Sequence, residues 1–124
     1  MPDSLFRDQV RAQYAYEEVG KVEEADREKY KIAVDDLGIN ILRGGLCAAI
    51  AAVQRSGVSK LLLGHLAGAG VPGLPRPKNG NHEDGSTLAN AVRELSAEKY
   101  MIATREMLKV AAWLKRAVQA TFPR

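Results

Sequence analysis

The sequence predicts an all-α protein: a single helical domain over 1–124, built as a compact bundle of about five to six helices with the longest at the C-terminus. Two observations carry this reading. Sustained apolar–polar alternation and β-branched runs are nearly absent, while Ala, Leu, Glu, Lys and Arg dominate. The 124 residues, 46% of them apolar, suffice for one ordinary core and leave no room for a second full domain. A chain of this length hides roughly 65–70% of its unfolded surface, so it folds without covalent or metal staples. The lone Cys47 agrees, since a disulfide framework needs pairs.

Each element has a local reason. A first helix is predicted from a cap at Asp3 or Ser4 to about Ala25, with Leu5, Ala12, Ala15, Tyr16, Val19 and Val22 on one face and a bend at Gly20. The next starts near Asp26 and places Tyr30, Ala33, Val34, Leu37 and Ile41 in a buried stripe until Gly44-Gly45 breaks it. An Ala-rich helix follows from Leu46 to about Arg55, then a short apolar one from Lys60 to Ala67. Five Gly and three Pro crowd the stretch 68–86, which is predicted to be a long mobile loop. A helix over Thr87 to Leu95 precedes the last one, capped by Ser96 and running from Ala97 to about Thr121. Along it Tyr100, Ala103, Met107, Val110, Ala111, Leu114 and Val118 share the core-facing arc.

The net charge of +3 conceals blocks of opposite sign. Residues 17–36 hold eight acids against four bases, residues 37–82 hold five bases and no acid, and residues 99–124 hold six bases against Glu106 alone. Blocks matter more than the total, because phosphate attraction decays within roughly 8 Å at physiological salt. On the last helix Arg105, Lys109 and Arg116 line one stripe about 17 Å long, with only Ala112 between them, a candidate edge for tracking a phosphate backbone. The same stripe also reads as a solvated face. Ile102 and Trp113 share another direction, a candidate partner surface that reads equally as cover for the Gly/Pro loop. Tyr14 with Arg7 and Arg11 allows nucleotide stacking, against the plainer reading of a partly buried Tyr.

Groups that converge for catalysis are not evident. Cys47 reads as a small buried hydrophobe and His65, in LLLGHLAG, as a hydrogen-bonded core or rim residue. The His82-Glu83-Asp84 run matches no established metal spacing. Phosphate-loop, HExxH and nucleophile–base patterns are missing, so the chain is read as a non-enzyme with no cofactor and no metal site. The N-terminus MPDSLFRDQVRAQ has no signal-peptide core and no run of about 18 apolar residues occurs, so a cytoplasmic protein without a membrane span is expected.

In order along the chain, QVRAQYAYEEV (Gln9 to Val19), the Tyr30-led helix closing in ILRGGLCAAIAAV (Ile41 to Val53), a variable middle, and YMIATREMLKVAAWLKRAVQA (Tyr100 to Ala120) form a combination that resembles the small helical subunit of type III-B (Cmr-type) CRISPR RNA-guided effector complexes. The likeness spans most of the chain and is weakest over 64–95. It implies a non-catalytic subunit in antiviral defence, present in several copies that stack head to tail with other effector subunits and line the path of the target RNA opposite the guide. It also implies phosphate contacts at Arg105 and at Lys115-Arg116, to which the charge pattern adds Arg43 and Lys109. Trp113 is the expected packing anchor, against its own core or a neighbouring subunit, and shares the candidate partner surface with Ile102. The alternative is a helical protein-interaction adaptor that makes no direct RNA contact.

Overall fold

The computed structural model describes residues 3–74 and 86–122. Six α-helices lie in this order: α1 Asp3–Gly20, α2 Arg27–Gly44, α3 Leu46–Gln54, α4 Ser59–Gly68, α5 Ser86–Arg93 and α6 Ala97–Thr121, with a 3-10 turn at Glu24–Asp26. No strand occurs among the described residues, and the longest helix is C-terminal, as the sequence predicts. The segment 75–85, which holds His82-Glu83-Asp84 and most of the predicted mobile loop, lies outside the described residues, as does the side chain of Leu5.

Two helices form the spine. α2 and α6 run antiparallel: Phe122 beyond the end of α6 packs near Tyr30 at the start of α2, with ring centroids 6.2 Å apart, while Tyr100 at the start of α6 reaches the far end of α2. α1 lies along α6, and α3 to α5 close the other side around one continuous core. The predicted α2 stripe from Tyr30 to Ile41 is buried in full. Tyr30, Leu37, Leu46, Ile50, Leu62, Leu63, Leu66, Met107 and Leu114 are buried almost completely. Each contributes about 1.5–3 kcal/mol relative to exposure. Ala49, Ala103, Ala111 and Ala117 are buried among them, and their small side chains let the helix axes approach closely.

Two expectations for the N-terminal region are corrected. α1 ends at Gly20 and does not continue through a bend to Ala25. Gly20 is a poor helix former, and the chain turns there through bonds from Lys21 N–H to Glu18 O and Val22 N–H to Val19 O, which still tuck Val22 into the core. Tyr16, expected on the apolar face, is 43% exposed; Tyr14 turns inward instead and donates its hydroxyl to His65 O at 2.7 Å. That carbonyl belongs to α4, whose end at Gly68 approaches Tyr14 so closely that a Cβ there would sit 2.5 Å from the hydroxyl.

His65 is a buried, hydrogen-bonded residue, as read from the sequence. Its Nδ1 lies 2.7 Å from Tyr30 Oη and its Nε2 lies 3.5 Å from Glu18 Oε2. Burial raises the Tyr30 phenol well above its ordinary value, with Tyr14 and the Glu18 carboxylate adding to the effect, so its proton is retained. Tyr30 Oη and His65 Nδ1 share this hydrogen bond, and Nε2 is the nitrogen that faces Glu18. The chain of polar groups ties α1, α2 and α4 together.

The α2–α3 corner turns on Gly45, whose φ of 89° and ψ of 169° fall in a region that only glycine occupies readily. A Cβ there would also come within 3.1 Å of the Tyr100 hydroxyl, which accepts the Cys47 N–H at 3.0 Å. Gly45→Ala is therefore expected to cost about 2 kcal/mol, read as a lower thermal midpoint with the helical circular-dichroism signal retained below it.

Candidate nucleic-acid interface

The site is built on α6. Its start is fixed by Ser96, whose side chain accepts the Lys99 N–H at 3.4 Å, and by Glu98 in the first turn, where a negative charge suits the helix dipole. The inner arc is the predicted one: Ala103, Met107, Val110, Ala111, Leu114 and Val118 are buried, and Tyr100 is half-buried. With that arc locked to the core, the opposite stripe must face outward. Arg105, Lys109 and Arg116 are exposed there, and Lys115 is exposed to one side of them.

The surroundings of these cations differ. Arg105 stands on the open stripe with no ion-pair partner among the described residues. Lys109 Nζ lies 3.9 Å from Glu106 Oε2, yet its side chain is 48% exposed and reachable by a polyanion. The Arg116 guanidinium lies over the Trp113 ring, 4.8 Å from its centroid. Stacked this way, a planar guanidinium keeps N–H edges for a phosphate while losing less freedom on binding. Arg43 sits on the last turn of α2, exposed, at the corner that packs on Tyr100. Arg43 and Arg105 thus belong to one end of α6, and Lys115 and Arg116 lie toward the other.

Ile102 and Trp113 differ in exposure. Eleven residues of helix separate them by about 16 Å. Ile102 is 42% exposed beside Met101 at 64%, whereas Trp113 is half-buried, packs on the core and is roofed by Arg116.

What lies under the stripe is not legible in the helical pattern of α6. Glu106 is buried, and two α1 cations converge on it: Arg11 Nη1 at 2.7 Å from Oε2, itself buried, and Arg7 Nη1 at 3.6 Å from Oε1, half exposed. Counting Lys109, three cations surround one carboxylate, so the α1–α6 seam is net positive and Arg7 extends the basic surface beyond α6. The available signal was that Glu106 is the only acid in a basic block and borders the buried arc. Arg7 and Arg11 serve this seam, while Tyr14 turns to α4; the three do not form a stacking site.

Cys47 is half-buried and packs against the core. Among the described residues no group of three or more His, Cys, Asp or Glu is placed to hold a metal ion, and no helix is long and apolar enough to cross a membrane.

The model of the family described as CRISPR-associated protein (Cas_Cmr5) matches residues 7–121. The CRISPR system Cmr subunit Cmr5 of Thermus thermophilus is 35% identical over 117 residues, spanning 92% of this chain and 94% of that protein. An X-ray crystal structure of a CRISPR-associated Cmr5 family protein from Thermus thermophilus superposes with a TM-score of 0.76 at 34% identity, covering 94% of this chain and 98% of that one.

Proposed function

Because the chain belongs to the Cmr5 family of CRISPR-associated proteins, we propose that it serves as a non-catalytic small subunit of a type III-B Cmr effector complex in cytoplasmic antiviral defence. Copies of it stack along the ribonucleoprotein beside the other Cmr subunits and line the path of the target RNA. The observation that carries the RNA role is the outward stripe of Arg105, Lys109 and Arg116 on a helix whose other side is fixed in the core. Lys115 on the same helix and Arg43 on the last turn of α2 are exposed as well. Cations at this spacing track phosphates without reading bases, which suits a complex in which pairing with a guide supplies the specificity. The blockwise charge fits stacking, since an acidic face on one copy attracts a basic face on the next.

The test is titration of fluorescent single-stranded RNA into the isolated protein and into a variant carrying Arg105→Glu, Lys109→Glu and Arg116→Glu together. Sequence-indifferent binding, lost in the folded variant, supports the reading. Unchanged binding removes these residues from the site, and no salt-sensitive binding in either protein favours the adaptor reading. Trp113 supplies a second readout, because it is the sole Trp and lies under Arg116. RNA that engages Arg116 is expected to change its emission reversibly with salt; constant emission at saturation takes Arg116 out of the contact set.

A further inference from the structure

The outer face of α2 carries apolar surface that the bundle does not use. Ile32, Ile39 and Leu42 are 55%, 48% and 75% exposed. By helical spacing, Ile32, Ile39 and Arg43 fall in one line, with Asp36 beside it on one edge and Leu42 on the other. One exposed aliphatic residue is ordinary, but three on one helix face form a patch. Asp36 and Arg43 make no ion pair with any described residue.

The charges of this face complement the same face turned end to end. When two α2 helices cross antiparallel about Ile39 and Asn40, position 36 of each comes opposite position 43 of the other, because the two lie equally far from the centre. Arg43 lies about 40° around the helix from Ile39 toward Asp36, so both sit on that side of the seam and two Asp–Arg pairs form along it. Ile39 meets its counterpart in the middle, and the two Leu42 side chains gather on the opposite edge. A parallel crossing would set Asp against Asp and Arg against Arg.

We infer that the outer face of α2 is a two-fold self-association surface whose occupant is the same face of a second copy. Such a contact is isologous and closes at two subunits, unlike head-to-tail stacking. It involves only Arg43 of the proposed RNA contacts and stands independently of them. A single helix pair buries less than the ~800 Å² per partner of a standard interface, so the dimer is weak.

Sedimentation equilibrium of the purified chain from about 10 to 500 µM at low salt tests this. The wild type is expected to shift from monomer toward dimer across that range. Asp36→Arg and Arg43→Asp each place like charges opposite one another twice per dimer and are expected to weaken association at least ~10-fold. An equimolar mixture of the two variants restores it, since every facing pair is again Arg with Asp. Both positions are exposed, and thermal unfolding verifies that the variants fold. A wild type that stays monomeric throughout, single variants that dimerise as the wild type does, or a mixture that fails to recover would each overturn the inference.

Discussion

Glu106→Gln is expected to destabilise the protein by about 3 kcal/mol, the largest effect of any single substitution considered, because it strands a buried guanidinium. Glu106 and Arg11 are 8% and 7% exposed, and their charged atoms lie 2.7 Å apart. The contact lacks the alignment of a hydrogen bond, leaving Oε2 buried without one, so the pair is held by Coulomb attraction in a poorly hydrated seam. Arg7 and Lys109 lose little when the carboxylate goes, since both are about half exposed and water takes over. Domains of this size are stable by only about 5–15 kcal/mol, and 3 kcal/mol translates into a fall in thermal midpoint of roughly 10–15 °C. The double variant Arg11→Met with Glu106→Leu is expected to regain most of that loss, because replacing both members of a buried pair by apolar groups of similar size is close to neutral. Thermal denaturation of the three proteins checks this. A loss under about 1 kcal/mol in the single variant would mean that water reaches the pair.

The parts of the fold that the sequence disclosed are those set by local periodicity. The stripe of α2, the inner arc of α6, the break at Gly44-Gly45 and the Ser96 cap depend on spacing and backbone preference, and all are observed. The parts it hid depend on what packs opposite. Tyr14 and Tyr16 flank the α1 core line on either side, and only the approach of Gly68 decides which turns inward. Glu106 borders the buried arc, where a carboxylate would ordinarily be costly; the cations that make it tolerable come from α1, nearly a hundred residues earlier. Trp113, expected as a packing anchor against its own core or a neighbouring subunit, packs on the core with the Arg116 guanidinium over its ring. The basic stripe itself was legible, since outward cations need only the helix phase. Arg7 was not, because its place beside Glu106 is a fact of packing.

Charge reversal at Arg105, Lys109 and Arg116 together is expected to remove nearly all single-stranded RNA binding, the largest functional effect predicted. Each of these cations is exposed, so the reversal leaves the core arc of α6 intact and the helical signal should survive. The change replaces three attractive charges by three repulsive ones on one stripe, and neutralisation of phosphates supplies most of the affinity of a sequence-indifferent contact.

The most direct measurement of the account is the slope of log affinity against log salt for single-stranded RNA, compared between the wild type and the milder Arg105→Gln/Lys109→Gln/Arg116→Gln variant, which still binds weakly enough to follow at low salt. Each phosphate contact contributes about −0.7 to that slope, so loss of three contacts should make it shallower by about 2. A slope within about 0.5 of the wild type, less than one phosphate contact, would contradict the proposal that this face of α6 lines the RNA.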